Sequence, residues 1–418
     1  MGETIIEKII RHNTGKAVKP GDIVTVNVDR VMIHDIFIPF VAEKFEEMGF
    51  TKLHDPDKVV LIYDHLVPAS QQDDTRHFRT GDAFADKYGL THVHRSDGIC
   101  HQLMTEAGYV KPGDIAFGTD SHTTTYGCVG AFSSGIGYTE MASILGTGTM
   151  WIKVPETIKV VIDGELPENV MSKDIILRLI GDLRADGATY RALEFAGSTI
   201  ENMTVASRMT MANMAIEAGG KNGIFPVDDL TRAYMKEHSK RPFVEYTADD
   251  DAEYEQVINI DLSEIEPTVS FPHLPENTHV VGSFDDIKID QVVIGSCTNG
   301  RIDDLRCAAK ILEGRKVAKG LRVIVIPATQ KIYMQAIEEG LVQTFIRAGA
   351  VVSTPTCGPC LGGYMGILAE GERCVSTTNR NFVGRMGHVD SEIYLASPAV
   401  AAASAVTGKI SQPSDLGL

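Results

Sequence analysis

The sequence predicts an α/β fold with mainly parallel sheets, arranged as three α/β/α domains. Short apolar runs recur along its 418 residues, and each run is followed by polar, chemically capable side chains. Amphipathic helical patterns such as RIDDLRCAAKILEG and QKIYMQAIEEGLVQTFIRAG lie between the runs. An alternation of strand and helix predicts parallel sheets covered by helices. The predicted strand-to-loop segments are 59–65, 114–123, 291–300, 322–330, 350–360 and 374–382.

Two changes in local composition predict the domain boundaries. Pro155 precedes a new strand pattern, TIKVVIDGEL, and the segment 270–283 contains two prolines that are typical of a loop. A chain of this length is enough for two or three domains. We therefore expect domains at 1–155, 156–285 and 286–418. The first would carry histidine and aspartate motifs, and the third the cysteines and arginines.

Composition and charge exclude several classes of protein. The net charge of −17 argues against a nucleic-acid partner. No apolar stretch is long enough to span a membrane, and the first residues lack the pattern of a secretory signal. Seven cysteines are too few for a disulfide scaffold in this chain, and we expect a cytoplasmic protein. The acidic segment 247–267 is interpreted as solvated surface near a domain boundary, with a regulatory role as the alternative.

Three cysteines form the most informative pattern. Cys297 lies in VVIGSCTNG, and Cys357 and Cys360 lie in TPTCGPCLGG. This set is typical of an iron–sulfur cluster, but a zinc half-site and a thioredoxin-like redox pair remain open alternatives. Three thiolates without a fourth would leave one metal position open, as catalytic sites require. The remaining cysteines are interpreted as buried thiols: Cys100, Cys128, Cys307 and Cys374.

Histidines and carboxylates, several of them at predicted strand ends, are candidates for acid–base chemistry. A single such histidine is most often a hydrogen-bonded structural residue, and most other histidines, among them His34, are interpreted in that way. Several together favour a site, since ligands bind at the carboxyl ends of parallel strands and paired histidines move protons near neutral pH. The candidates are Asp64, His65, His101, Asp120, His122 and Glu194.

Arg380 and Arg385 are candidates for binding an anionic substrate. They follow the predicted strand CVSTT, and a guanidinium group binds carboxylate through two parallel hydrogen bonds. Surface salt bridges are the alternative interpretation. The glycine-rich stretch 135–150 lacks the features of a phosphate-binding loop and is interpreted as close packing.

Seven blocks along the chain resemble the aconitase superfamily, and within it the large-subunit family of 3-isopropylmalate dehydratase and homoaconitase. Together they span the sequence nearly from end to end. The blocks are YDH (63–65), GICHQ (98–102), GTDSHT (118–123), IGSCTNG (294–300), TPTCGPCLGG (354–363), NRNFVGRMGH (379–388) and YLASPAVAAASAVTG (394–408).

The resemblance implies a central 4Fe–4S cluster with an open fourth iron, around which the three domains are arranged. Its ligands would be Cys297, Cys357 and Cys360. Asn379 would lie beside the cluster. Ser121, Arg380 and Arg385 would bind the substrate.

The same resemblance implies three acid–base pairs that donate and accept protons during the reaction. They are Asp64 with His65, Asp120 with His101, and His122 with Glu194. The open iron would act as a Lewis acid on the substrate hydroxyl.

The resemblance also implies a partner, because full-length aconitases carry a fourth, swivelling domain that this chain is expected to lack. A small subunit of roughly 160–170 residues, the size of one domain, would supply it. The expected reaction dehydrates and rehydrates a 2-hydroxy dicarboxylate, converting 2-isopropylmalate to 3-isopropylmalate in leucine biosynthesis. Homoaconitase and methyl-substituted malate dehydratase are close alternatives.

Two readings of another class stay open. One is a redox or electron-transfer protein that uses CGPC and has no need of Cys297. The other is a cluster-bearing regulator that binds RNA, against which the acidic charge argues.

Overall fold

Three sheets covered by helices and one two-stranded ribbon make up the structure, a computed structural model that describes residues 2–418. In the first and second sheets all neighbouring strands run parallel, and in the third sheet four of the six neighbouring pairs do. The predicted α/β fold with mainly parallel sheets is therefore confirmed. Among the described residues, no helix combines the length and apolar character that a membrane crossing requires.

The first sheet has five parallel strands in the order β4-β3-β2-β5-β6. Its strands are β2 (Arg30–His34), β3 (Val59–Ile62), β4 (His92–His94), β5 (Ile115–Gly118) and β6 (Phe132–Gly135). An antiparallel ribbon joins β1 (Ile23–Asn27) and β7 (Thr149–Lys153). The accompanying helices are α1 (Ile5–Thr14), α2 (Ile38–Glu47), α3 (Gln72–Tyr88), α4 (Cys100–Glu106) and α5 (Tyr138–Thr147).

The second sheet has four parallel strands in the order β10-β9-β8-β11. They are β8 (Thr157–Asp163), β9 (Ala192–Ala196), β10 (Asn222–Ile224) and β11 (Gln256–Asp261). Its helices are α6 (Ser172–Leu183), α7 (Ser198–Asn202), α8 (Val205–Met214) and α9 (Asp229–His238). The acidic segment 247–267 contains β11, a mostly exposed edge strand, so it is more ordered than a solvated loop.

The third sheet has seven strands in the order β13-β12-β18-β17-β14-β15-β16. They are β12 (Thr268–Ser270), β13 (Thr278–Val280), β14 (Gln291–Gly295), β15 (Arg322–Ile326), β16 (Val351–Val352), β17 (Arg373–Ser376) and β18 (Glu392–Ala396). Its helices are α10 (Ser296–Asn299), α11 (Ile302–Leu312), α12 (Gln330–Glu338), α13 (Leu341–Ala348) and α14 (Pro398–Thr407).

Two features of the third sheet differ from the sequence-based expectation. Strands β12 and β13 pair with this sheet, so its topology favours a boundary before residue 268 rather than near 285. The helical pattern after residue 330 divides into α12 and α13 at Gly340, whose φ of 77° is left-handed. Glycine adopts this conformation without a steric penalty, and the helix ends there.

One apolar core connects the three sheets. Val160 and Phe195 of the second sheet pack in the same buried cluster as Val293 and Ile326 of the third. Val129, on the connection between β5 and β6 of the first sheet, joins this cluster. Because packed cores resist small displacements, the loops at the carboxyl ends of the sheets are held in fixed relative positions.

Each of the three sheets, with its helices, is called a unit here. Arg208 of α8 is a buried charge that connects helices within the second unit. Its guanidinium donates to the carbonyls of Met203 at 3.0 Å and Ile200 at 2.8 Å, and it pairs with Asp228 at the start of α9. We expect Arg208→Met to lower the free energy of unfolding by about 3–5 kcal/mol, because it leaves these acceptors and Asp228 without their partner.

The matched control is Arg232→Met, which removes a surface arginine that is 46% exposed. Its expected cost is much smaller than that of Arg208→Met, because ion pairs of exposed side chains contribute little to stability. Urea denaturation of the two variants measures the difference, and equal losses of stability would contradict this role of Arg208.

Candidate functional site

A cavity of about 810 Å³ lies where loops from all three units meet. The carboxyl ends of β2, β3 and β5 contribute one side, and loops of the second and third units contribute the rest. The charged and polar residues in its wall include His34, His65, Asp120, Ser121, Lys221, Arg380 and Arg385.

Asp64 and His65 form a buried pair directly after β3. The Nδ1 atom of His65 lies 2.7 Å from Oδ1 of Asp64, while Oδ2 of Asp64 accepts the backbone N–H of Cys100 at 2.7 Å. Burial acts to lower the pKa of His65, but the charge of Asp64 and hydrogen bonds to Asp120 and Asp64 raise it well above its ordinary value. His65 is therefore an imidazolium near neutral pH, with a proton to donate.

Asp120 is the common partner of three histidines. Its Oδ1 lies 2.8 Å from Nε2 of His101 and accepts the backbone N–H of His122 at 2.7 Å. Its Oδ2 lies 3.7 Å from Nε2 of His65. Burial acts to raise the pKa of Asp120, but the charge of His101 and the hydrogen bonds from the histidines hold it well below its ordinary range. Asp120 therefore remains a carboxylate.

The predicted pairing of His122 with Glu194 is wrong. His122 Nε2 lies 2.7 Å from Oε1 of Glu217 instead. Glu194 is in the middle of β9, where its Oε2 accepts the backbone N–H of Ile5 at 3.0 Å, and Oε1 accepts the hydroxyl of Tyr254. A mid-strand side chain cannot reach the site at the strand ends, so Glu194 fastens α1 to the second sheet.

Glu217 gave little sequence signal because it does not follow a strand. It lies on a short 3₁₀ helix, Ala215–Ala218, that continues α8. The sequence feature that could have identified it is a single carboxylate among the small and apolar residues of MANMAIEAGG. The Oε1 atom of Glu217 also accepts Nε of Arg380 at 2.8 Å, so this carboxylate joins the acid–base residues to a predicted substrate arginine.

His34 is also part of the site, although the sequence favoured a structural role. Its ring stacks on that of His65, with centroids 4.1 Å apart, and it lines the cavity. Within residues 2–418 neither ring nitrogen of His34 has a hydrogen-bond partner. Burial and the charge of His65 lower the pKa of His34 to about 3, so its ring is neutral. Asp35, equally buried, accepts the backbone N–H of His65 at 3.1 Å.

The three predicted cysteine ligands lie together below the cavity. Cys297, Cys357 and Cys360 form one buried cluster with Ile99. Asn379 contacts two of them, since its Nδ2 donates to Sγ of Cys297 at 3.4 Å and its Oδ1 accepts from Cys360 at 3.3 Å. The three thiols thus share one buried cluster, and Asn379 links two of them.

The spacing of the sulfurs distinguishes between two kinds of metal site. A tetrahedral zinc ion with Zn–S bonds of about 2.3 Å would bring its sulfur ligands to about 3.8 Å from one another. Among the described residues, the sulfurs of Cys297, Cys357 and Cys360 do not all lie within 4.8 Å of one another. A larger inorganic core fits this donor set better than a single ion does.

Two arginines complete the cavity floor. The Nη2 atom of Arg385 lies 3.8 Å from Sγ of Cys360, and within residues 2–418 its Nε has no hydrogen-bond partner. Arg380 faces the cavity beside Glu217. Ser121 lines the same space after β5. Both guanidinium groups are therefore placed where an anionic ligand would lie between the cysteines and the histidines.

The acid–base loop and the cysteine loop are directly connected. The carbonyl of Asp64 accepts the backbone N–H of Cys357 at 2.8 Å and the hydroxyl of Thr356 at 2.9 Å. The backbone N–H of Ile99, two residues before His101, donates to the carbonyl of Ala328 at 2.8 Å. The first and third units are thus joined by backbone hydrogen bonds at the site itself.

The aconitase family (aconitate hydratase) model matches this chain over residues 7–286 and 281–408. The chain belongs to the aconitase family. It is 57% identical to the 3-isopropylmalate dehydratase large subunit of Lachnoclostridium phytofermentans, with 100% of both chains covered. It is 54% identical to the large subunit of that name from Moorella thermoacetica, again with 100% of both chains covered.

A third large subunit of the same name, from Caldicellulosiruptor saccharolyticus, is 54% identical over 99% of this chain and 98% of its own. Among solved structures, the holo form of aconitase X from Thermococcus kodakaraensis superimposes with a TM-score of 0.52. It covers 88% of both chains at 14% identity, so it supports the aconitase-family fold alone.

Glu217 and Glu194 can be distinguished by the titration of His122. Burial and the charge of Arg380 act to lower the pKa of His122, but hydrogen bonds to Asp120 and Glu217 raise it. We expect Glu217→Gln to lower this pKa, because the carboxylate charge is removed. The matched control, Glu194→Gln, should leave it unchanged.

NMR titration of ring-labelled histidine in both variants measures this difference. A lowered pKa of His122 in Glu194→Gln, with no change in Glu217→Gln, would return the pairing to Glu194.

Proposed function

We propose that this chain is the large, cluster-binding subunit of a hydro-lyase that converts 2-isopropylmalate to 3-isopropylmalate in leucine biosynthesis. The observation that carries the proposal is the end-to-end identity of 57% to a 3-isopropylmalate dehydratase large subunit. The site supports it independently, because three buried thiols lie together and Arg385, which contacts Cys360, lines the cavity with the paired histidines. Moving a hydroxyl between neighbouring carbons of a carboxylate needs these three kinds of group.

The wall of the cavity favours a substrate with a branched alkyl group. Ile36, Phe37, Ile136, Ile216 and Leu361 line it. A hydrophobic surface of this kind gains free energy from an isopropyl group, roughly 0.8 kcal/mol for each buried methylene equivalent. Homocitrate carries a carboxylate-bearing chain in place of the isopropyl group, and such a chain would gain less from this apolar wall. Homoaconitase and methyl-malate dehydratase activities are therefore the weaker alternatives.

The donor set fits a 4Fe–4S cluster held by Cys297, Cys357 and Cys360. When bound, such a cluster supplies a Lewis acid to the substrate hydroxyl through the iron that has no protein ligand. Asn379 holds the sulfurs of Cys297 and Cys360 in place through its amide. The thiol of Cys357 and the charge of Arg385 lower the pKa of Cys360 against the effect of burial, which favours the thiolate that binds metal.

His65 is the proposed proton donor. Dehydration removes hydroxide from one carbon of the substrate and a proton from its neighbour. The imidazolium of His65 donates from Nε2 to the departing hydroxyl oxygen, which leaves as water, while Asp64 holds Nδ1–H. When water is added to the other carbon, the neutral imidazole of His65 takes the proton back at Nε2, and the carboxylate of Asp120, fixed by His101 and His122, stabilises the imidazolium that forms again.

Arg380, Arg385 and Lys221 are the proposed partners of the two substrate carboxylates. All three line the cavity. Within residues 2–418 Lys221 has no carboxylate within ion-pair distance, and Arg385 contacts only sulfur. In a chain with a net charge of −17, this local group of cations is what would attract a dianion.

The proposed partner is a small subunit that carries a swivelling domain and supplies the base that removes the carbon-bound proton. The support is the name of the relatives, each a large subunit. We also propose a cytoplasmic location, because all seven cysteines are free thiols and a reducing compartment keeps them so.

Removing one cysteine tests the cluster against a CxxC redox pair. We expect Cys297→Ser to lose iron and sulfide completely, since two thiolates are not enough to hold the cluster. The matched control is Cys307→Ser, at a half-buried thiol that contacts Met171 and should keep full content. Iron and acid-labile sulfide analysis after anaerobic purification measures both, and a Cys297→Ser protein with unchanged redox activity would favour the redox reading.

The proposed activity is tested on the chain combined with its small subunit. We expect conversion of 2-isopropylmalate, followed by the ultraviolet absorbance of the unsaturated intermediate, with kcat/KM at least tenfold above that for homocitrate or a methyl-substituted malate. The tenfold preference corresponds to about 1.4 kcal/mol of differential binding. A preference for homocitrate, or no turnover of any of these acids by the cluster-loaded complex, would contradict the assignment.

A further inference from the structure

A buried lysine lies behind the cysteine site. Lys173, near the start of α6, has no exposed surface. Its Nζ donates to the carbonyl of Thr377 at 3.0 Å and to that of Thr378 at 2.6 Å. Among residues 2–418 no carboxylate oxygen lies within ion-pair distance of this ammonium group. A buried charge without an opposite charge costs several kcal/mol, so its retention needs an explanation.

The two carbonyls belong to the segment that organises the cysteines. Thr377 and Thr378 follow β17 and immediately precede Asn379, the residue in contact with Cys297 and Cys360. The hydroxyl of Thr377 also accepts the backbone N–H of Gly295 at 2.8 Å, two residues before Cys297. Lys173 therefore fixes the backbone on which both the asparagine and the first cysteine depend.

The charges that face Lys173 include the cysteines themselves. Burial lowers the pKa of Lys173 to about 7, while the negative charges of Cys297, Cys360, Asp304 and Asp174 act to raise it. Thiolates are the form that binds metal, so loading the site adds negative charge to this region. In the loaded site the negative thiolates oppose the positive charge of Lys173. In the metal-free site the neutral thiols do not.

We propose that Lys173 is the buried counter-charge of the cysteine-bound cluster and the positioning residue of Asn379. The proposal rests on the proposed 4Fe–4S cluster. Reduction adds one negative charge to a cluster, and its potential depends on the local charge and hydrogen bonding. Lys173 therefore stabilises the reduced form and raises the reduction potential.

An EPR-monitored redox titration of the anaerobically loaded full chain tests this charge. In Lys173→Gln the amide keeps a donor for the two carbonyls but removes the charge. We expect its equilibrium constant for one-electron reduction to fall at least tenfold, which corresponds to about 59 mV. Lys173→Arg keeps the charge and should stay within threefold of the wild type. Lys111→Gln, at a lysine that pairs with Asp114 away from the cysteines, should show no shift.

The melting temperatures of the cluster-free and loaded forms distinguish this role from ordinary packing. In the cluster-free protein Lys173→Gln should melt at or above the wild-type temperature, because a buried unopposed charge is removed. In the loaded protein it should melt lower. An unchanged potential, or an equal loss in both forms, would overturn the proposal while leaving the proposed function intact. A wild-type chain that takes up no reducible cluster would overturn both.

Discussion

The carbonyl of Asp64 accepts two hydrogen bonds from the loop that carries Cys357, and the geometry of the site depends on this contact. It fixes the Asp64–His65 pair of the first sheet against the cysteines of the third sheet. Backbone hydrogen bonds vary little in length, so the proposed proton donor and the proposed metal-binding thiols keep a constant separation. The shared apolar core holds the surrounding sheets in the same relation.

Buried charges are arranged in opposed sets around this contact. Asp120 has histidines on both of its oxygens, Glu217 has a histidine and an arginine, and Arg385 has a cysteine sulfur. Such groups are stable away from water because each has a partner. The arrangement keeps His65 charged and His34 neutral although their rings are stacked. One cavity thereby contains both a charged and an uncharged imidazole.

The sequence predicted the residues that follow strands far better than those that do not. Asp64, Asp120, Cys297 and Asn379 come after apolar runs of a parallel sheet, where the fold collects ligand-binding groups. Glu217 lies on a helix extension, and Glu194 of β9 was predicted in its place as the partner of His122. The missed residues reach the site only through tertiary packing, which the pattern of one sequence does not contain.

The same limit applies to the domain boundaries and to the buried Lys173 behind the cysteines. The pairing of β12 with β18 joins segments more than a hundred residues apart, and local composition does not encode it. Lys173 is part of an amphipathic helix in sequence terms, and only its enclosed surroundings distinguish it from a surface lysine.

The central claim is that three cysteines hold a cluster with one open iron. The most direct measurement is EPR spectroscopy of the anaerobically purified chain before and after mild oxidation. We expect a three-iron signal that appears on oxidation and disappears when ferrous iron is added. A fully ligated cluster that only cycles one electron, or zinc in place of iron, would contradict it.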